Sequence, residues 1–306
     1  MPAQQPLNAF CVDLEEWFHI CGVETRYSNP DTWAAAPQHV VHDTEVLMRL
    51  LDENHSRGTF LTVGWVAERY PDLIRRLANA GHEIGCHSYW HRIVYSLTPE
   101  VFEEDITRCL QVLRDVSGQS VTAFRAPSFS MKSECFWAYP ILRRHGITLD
   151  VSIVPAARDH GGIAGFTRDP FLLQTSAGEI RCIPVSVMSF AGRTLPFSGG
   201  GYLRLLPLWL VKAGYRQNHR AGRPGMSYIH PREIDPAQPR LELPRLKYFK
   251  YYVNLKSTEG KLRNILQSFR FTTIAEVAAS ITRWPEYQLT NDEIKPVAPL
   301  TGPKPA

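Results

Sequence analysis

The sequence lacks the cysteine pattern of a disulfide-stabilised or zinc-ribbon protein. Its six cysteines include no C-x-x-C pair, and four of them lie inside apolar runs. Cysteines in such places are typical of small core residues in a reducing compartment. We therefore expect no disulfide framework and a cytoplasmic protein.

Long apolar segments are also missing. The most apolar stretch, residues 201–215, is interrupted by Arg204, Pro207 and Lys212, and it is too short to span a bilayer. The first residues show no basic segment followed by an apolar one, so no signal peptide is expected. We expect a protein that works in the cytoplasm and can touch the inner membrane surface.

The excess of charge of one sign is small. The 34 Lys and Arg residues oppose 30 Asp and Glu residues, which leaves a formal net charge of +4. This balance does not produce the strongly basic footprint that nucleic-acid binding requires. We expect no nucleic-acid partner, and the sequence leaves the oligomeric state open.

What the sequence does hold is a repeated alternation of strand-like and helix-like segments. An apolar run at 10–14 precedes a helical stripe over 40–53, and a β-branched run at 58–64 precedes a second stripe over 66–77. Repeated β–α units with short links predict a parallel sheet with right-handed crossovers. The residues alone leave an open doubly wound sheet and a barrel as alternatives.

The alternation weakens and then returns along the second half of the chain. Residues 160–225 are richer in Gly, Pro and Arg, and they are predicted to be an irregular insertion. Apolar runs recover over 226–285, so one catalytic domain is predicted over 8–285. Residues 286–306 are rich in proline, and they are predicted to be a disordered tail.

Polar residues follow the predicted strands at the point where each strand ends. Reactive groups gather at this edge in parallel β/α architectures, so these side chains are expected to meet. The candidates are Asp13, Glu15 and Glu16 after the first strand, then His87, His91, Arg125, Asp150 and His230.

Two histidines, His87 and His91, stand four residues apart. On a helical turn their imidazoles would face one side and could share a metal ion. Catalytic zinc sites often use three protein ligands and leave one position for water, which suits two histidines and one carboxylate. The alternative is that one histidine packs in the core and the other is solvated.

The first acids, Asp13 and Glu15, are two residues apart on an extended segment, so their side chains point the same way. One can bind the metal while the other takes a proton from water. A cation at Arg125 would keep the neighbouring base ionised. Asp150 could orient a histidine. For both Arg125 and Asp150 a purely structural ion pair remains the alternative. His230 is either a ligand or an acid, and a hydrogen-bonded histidine packed under a loop is the alternative.

These motifs resemble the polysaccharide deacetylases with a NodB-type homology domain, also called carbohydrate esterase family four. Within that family the chain looks similar to the bacterial branch encoded beside exosortase and exopolysaccharide genes. The resemblance covers roughly residues 8–283. The stretches that carry it are 12–18, 58–69, 81–91, 124–130, 150–155 and 228–235.

The resemblance implies an α/β fold, a distorted (β/α) barrel of about seven strands in which 226–285 forms the family-specific carboxyl-terminal part. By position it assigns Asp13 as base, Glu15, His87 and His91 as metal ligands, Arg125 as partner of the base, Asp150 as the residue that orients a histidine, and His230 as acid. Many members have adjacent acids in the first motif. This chain has Asp-x-Glu-Glu instead, so Glu15 and Glu16 remain alternatives for the ligand.

The resemblance also implies the activity, which is metal-dependent removal of acetyl groups from amino sugars of a bacterial polysaccharide or a lipid-linked oligosaccharide. One divalent ion is expected, zinc first among several possible ions. Trp17, Pro127 and Tyr228 are predicted to bind the substrate, with ordinary core packing as the alternative. Two other functions stay open: hydrolysis of small or cyclic amides, and glycan binding or assembly without catalysis.

Overall fold

The computed structural model describes residues 6–158 and 160–297. The strands in this part are β1 Asn8–Leu14, β2 Thr59–Thr62, β3 Glu83–Cys86, β4 Ala123–Phe124, β5 Leu149–Asp150, β6 Phe171–Thr175, β7 Gly178–Cys182, β8 Val187–Phe190, β9 Arg193–Pro196, β10 Met226–Ile229, β11 Phe271–Thr272, β12 Glu286–Thr290 and β13 Glu293–Pro296. The helices are α1 Val40–Glu53, α2 Gly64–Arg69, α3 Pro71–Asn79, α4 Pro99–Ser117, α5 Ala138–Arg144, α6 Gly200–Leu205, α7 Leu208–Arg220, α8 Arg245–Tyr252, α9 Thr258–Ser268 and α10 Ile274–Ser280.

Local sequence explains where the best-defined elements begin and end. Every residue of β1 is buried, as expected for a central strand covered on both faces. Helix α4 begins after Thr98, whose side chain accepts a hydrogen bond from the backbone of Val101, with proline at its first position. The same helix ends at Gly118, which adopts the left-handed conformation with φ of 67°.

Seven strands form a continuous parallel array in the order β10–β1–β2–β3–β4–β5–β7. This arrangement confirms the predicted parallel α/β fold of about seven strands. The two outer strands of the array, β10 and β7, do not pair with each other within the described residues. Loop contacts join β10 to the segment after β7 instead: Tyr228 N donates to Ser198 O at 3.1 Å, and Met226 N donates to Ser186 Oγ at 2.8 Å.

Residues 160–225 are more regular than the sequence predicted. They form two antiparallel hairpins, β6–β7 and β8–β9, followed by α6 and α7. Glycine residues occupy the turns of these hairpins, where Gly178 and Gly192 adopt the positive φ that other residues disfavour. The glycine content therefore marked tight turns between strands, and the prediction of an irregular insertion was wrong.

The predicted disordered tail also begins with regular structure. Strand β12 pairs in parallel with β6 and antiparallel with β13. Asn291 and Asp292, both with positive φ, form the two-residue turn between β12 and β13. Disorder was therefore wrongly predicted for 286–297, and residues 298–306 lie outside the described part.

Most helices pack their apolar faces on the sheet, but α8 has no buried residue. None of the helices in the described part is both long and apolar enough to cross a bilayer. The carboxyl ends of β1, β3, β4 and β10 open on one side of the array, where they place the predicted site residues together.

Candidate active site

The first strand brings two carboxylates to one cavity. Asp13 and Glu15 are both 2% exposed and both line a cavity of about 460 Å³. Leu14 between them points into the core, so the predicted alternation of side chains is confirmed. The cavity walls also carry His87, His91 and His230.

Three of these side chains form a cluster suited to a metal ion. Glu15, His87 and His91 each offer one ligand atom, and these atoms lie within 4.8 Å of one another. His91 Nε2 lies 2.6 Å from Glu15 Oε2, yet this buried oxygen accepts no hydrogen bond from the described residues. A close nitrogen–oxygen contact without a hydrogen bond fits two ligands of one cation.

The second imidazole is held in the form that binds metals. His87 Nδ1 donates to the carbonyl oxygen of Arg125 at 2.8 Å, which leaves Nε2 as the unprotonated atom. Burial lowers the pKa of His87 to about 4, so its imidazole is neutral. Residues 87–91 are not helical, because Ser88 and His91 have positive φ. The expected convergence occurs, but a tight loop rather than a helical turn produces it.

The choice between the two adjacent glutamates follows from their partners. The Glu16 carboxylate accepts hydrogen bonds from the backbone N–H groups of His39 and Val40, so it caps the amino terminus of α1. Burial raises the pKa of Glu16 to about 7. Glu15 is the glutamate that faces the histidines, and burial of its charge is offset by His91 and His230, which hold its pKa below the usual range.

A buried ion pair supports the other carboxylate. Arg125 Nη1 lies 2.5 Å from Asp13 Oδ1, and Arg125 is completely buried. Burial disfavours the guanidinium charge, but Asp13 outweighs that effect and raises the pKa of Arg125. The predicted pairing of Arg125 with Asp13 is therefore present in the structure.

His230 lies between the two carboxylates. Its Nε2 is 3.7 Å from Asp13 Oδ2 and 3.5 Å from Glu15 Oε1. Its Nδ1 lies 3.2 Å from Glu233 Oε2, which also accepts from the His230 backbone N–H at 3.0 Å. Glu233 forms a buried ion pair with Arg204 at 3.0 Å, and its pKa is lowered because these partners outweigh burial.

The sequence analysis missed Glu233. The available signal was the spacing in His230-Pro-Arg-Glu233, in which a residue before a helical turn is followed three positions later by glutamate. This pattern normally indicates a capped turn. Here the same carboxylate also fixes the histidine ring.

Asp150 lies near the site but contacts no histidine among the described residues. Its carboxylate accepts from Ser152 Oγ at 2.5 Å and from the Tyr139 hydroxyl at 3.2 Å. Ser152 Oγ in turn accepts from the backbone N–H of Ala126, so Asp150 supports the loop after β4. The prediction that Asp150 orients a histidine was wrong, because the short β5 strand directs it to this loop. Glu233 has that position instead.

Of the three predicted substrate-binding residues, Tyr228 alone lines the cavity. Its hydroxyl accepts a hydrogen bond from Arg158 at 3.1 Å. The Trp17 indole is 2% exposed, packs against Phe18 and donates to the carbonyl of Pro37, so it belongs to an aromatic core. Pro127 is buried too, and the two residues that follow it, with positive φ, reach the cavity.

Two family models match this chain, and several known proteins are similar to it. Residues 32–148 match the family model described as "Polysaccharide deacetylase", and residues 151–279 match a "Domain of unknown function (DUF3473)". A peptidoglycan deacetylase of Helicobacter pylori is 24% identical over 35% of this chain and 36% of its own length. A peptidoglycan-N-acetylglucosamine deacetylase of Bacillus cereus is 28% identical over 28% of this chain and 32% of its own length.

The fold has a clear counterpart among solved structures. A crystal structure of a Mycobacterium smegmatis protein named as a polysaccharide deacetylase covers 91% of both chains, with a TM-score of 0.62 and 19% identity. The chain spans about a third of the length of the two curated relatives named above. Residues 32–148 therefore match the polysaccharide deacetylase family, and the fold of the chain is similar to that of this solved structure.

Proposed function

We propose that this protein removes acetyl groups from N-acetylated amino sugars of a bacterial polysaccharide by metal-dependent hydrolysis. The observation that supports the proposal most strongly is the convergence of Glu15, His87 and His91 beside the Asp13–Arg125 pair in one cavity. The names of the two bacterial relatives, both peptidoglycan deacetylases, point to the same class of substrate.

Glu15, His87 and His91 would hold the ion. Two imidazole nitrogens and one carboxylate oxygen are the donors of many catalytic zinc sites, so zinc is the proposed metal. When bound, such an ion polarises an amide carbonyl and makes water more acidic.

Asp13 is proposed as the base. Its Oδ1 is engaged by Arg125, while Oδ2 lies on the cavity side, 3.7 Å from His230 Nε2. The buried guanidinium pairs with the carboxylate and fixes its orientation, so that Oδ2 faces the place where an attacking water would lose its proton.

His230 is proposed as the acid that protonates the departing amine. Its Nδ1–H is donated to Glu233, so the ring is fixed with Nε2 facing the carboxylates and the cavity. A proton on Nε2 can pass to the amine nitrogen as the carbon–nitrogen bond breaks, releasing acetate and a free amino sugar. Asp13 takes one proton from water, His230 supplies one to the amine, and the second water proton leaves with acetic acid, which ionises to acetate in solution.

The proposed substrate is a polymer or a lipid-linked oligosaccharide that presents one sugar to the cavity. A volume of about 460 Å³ lies within the range of small-molecule sites, and it can hold one or two sugar rings. The test is acetate release from N-acetylglucosamine oligomers, peptidoglycan fragments and extracted exopolysaccharide, compared with turnover of small cyclic amides. Turnover of the cyclic amides alone would reject the proposed substrate class.

Two variants test the assigned roles. Asp13→Asn should abolish turnover while the metal content stays unchanged, whereas His87→Ala should lose the metal. His42→Ala is the matched control, because the His42 side chain is 78% exposed and does not line the cavity. Metal content comes from elemental analysis of the purified proteins, and full metal content in His87→Ala would remove His87 from the ligand set.

A further inference from the structure

Helix α8 exposes large apolar side chains to solvent, although folded proteins bury most side chains of this type. Leu246 is 67% exposed and Phe249, one turn later, is 52% exposed, so the two side chains share a face. The other side of the helix contributes Lys247, Lys250 and Tyr251 to the active-site cavity. Helix α8 is therefore both a wall of the cavity and an outer surface.

A second exposed segment adjoins α8. The Arg204 side chain, on α6, donates hydrogen bonds to the carbonyl oxygens of Lys250, Tyr251 and Val253. These bonds connect the end of α6 to the end of α8. Directly after Arg204, Leu205 is 41% exposed and lines the cavity, and Trp209 on α7 is 66% exposed. We call Leu205, Trp209, Leu246 and Phe249, with the cations on α7 and α8, the basic-apolar face.

The segments that form this face carry no acidic residue, while Glu24 and Glu242 line a groove beside Tyr248 of α8. No Asp or Glu occurs between Glu179 and Glu233, and none occurs between residues 243 and 258. The exposed or half-buried cations of α7 and α8 that do not line the cavity are Lys212, Arg216, Arg220 and Arg245. Arg204 is buried in its pair with Glu233, so it does not belong to this charge. Exposed Trp, Leu and Phe among lysines and arginines is the composition of protein segments that lie in a membrane interface.

We propose that the basic-apolar face docks on an anionic lipid surface. The apolar side chains would enter the boundary of the acyl chains, and the cations would pair with lipid phosphates. Because α8 and Leu205 also border the active-site cavity, docking places the cavity at the level of the headgroups. An oligosaccharide attached to a lipid would be presented there.

Two other partners fit the face less well. A second copy of this chain would bring the same cations to a symmetric contact, and like charges repel across such an interface. An anionic polysaccharide would match the charge of the face. Sugar rings bind to proteins by stacking on aromatic rings, however, so such a partner does not explain why Leu205 and Leu246 are exposed.

The test is sedimentation of the whole protein with vesicles, measured without substrate. We expect binding to an equal mixture of phosphatidylcholine and phosphatidylglycerol, little binding to phosphatidylcholine alone, and weaker binding at high salt. Leu246→Ser/Phe249→Ser should lower the partition coefficient about tenfold or more. Arg245→Gln should lower it about fivefold.

Val101→Ser is the matched control, because Val101 is an exposed apolar residue on α4, outside the face. Its binding should equal that of the wild type, and thermal melts should show that all variants are folded. The proposal is overturned if the wild type does not bind the anionic vesicles, or if Leu246→Ser/Phe249→Ser binds them with the same partition coefficient as the wild type. Concentration-dependent dimers that this double variant abolishes would assign the face to a second copy. Since no turnover is measured, an inactive enzyme can still pass this test.

Discussion

Replacing Arg125 by methionine tests the buried ion pair that supports the proposed base. At an effective dielectric constant of about 20, opposite charges 2.5 Å apart attract by about 7 kcal/mol, and desolvation of the two groups offsets part of this. Methionine fills much of the same volume but leaves the Asp13 carboxylate buried without its partner. We therefore expect the free energy of unfolding to fall by about 3–5 kcal/mol.

The assay is urea denaturation in excess chelator, so that metal binding does not contribute to stability. The double variant Asp13→Asn/Arg125→Met should recover about 2 kcal/mol of the loss, because it removes both charges. Arg75→Met is the matched control: its pair with Asp72 has a nitrogen–oxygen distance of 2.6 Å but is exposed, so a change of at most about 1 kcal/mol is expected. A loss below about 1 kcal/mol for Arg125→Met, or strict additivity in the double variant, would refute this reasoning.

Three further predictions concern the surroundings of the site. Glu233→Gln should lower kcat about 10-fold to 100-fold at unchanged metal content, because the His230 ring loses its charged acceptor; unchanged kcat would show that the ring is fixed by other contacts. Gly200→Ala should lower kcat in the same direction, since a Cβ at this position would overlap the Glu233 carboxylate, and a crystal structure of the variant would show whether that carboxylate has moved. Burial raises the pKa of Asp150 from its usual 3.8 to about 6, so the folded state binds this proton more tightly than the unfolded state does. The resulting stability is complete below pH 4 and is lost as the pH rises through 6, by about 3 kcal/mol. Asp150→Asn cannot lose this proton and should be more stable than the wild type at pH 8 but not at pH 4; a difference that does not depend on pH would contradict the assignment.

The parts of the fold that sequence predicts well are those fixed by neighbours along the chain. The apolar stripe over 40–53 matches α1 residue for residue, and the Thr98-Pro99 start of α4 is a local capping signal. The apolar stripe over 66–77 predicted one helix, but the structure has two, because Pro71 separates α2 from α3. Since proline has no backbone N–H and restricts the residue before it, this break could have been predicted.

In the site too, positions that depend on local sequence could be predicted, and contacts between distant parts of the chain could not. Asp13 and Glu15 could be assigned from alternation along a strand, and His230 from its place at a strand end. The partners of Asp150 and His230 could not, because they depend on how loops from different parts of the chain pass one another. Trp17 was assigned to the cavity by residue type, but its burial depends on Tyr27 and Pro37, which fold over it.

The position of β1 within the sheet has a consequence for biosynthesis. Strand β1, which carries Asp13 and leads directly into Glu15, lies in the interior of the parallel array. Its neighbours are β2 and, from residues 226–229 and 271–272, β10 and β11. Most of the chain must therefore leave the ribosome before this early segment finds its last partners. Contacts of such long sequence separation slow folding and leave a largely apolar strand unpaired in the meantime, so we expect the nascent chain to be a target for chaperones.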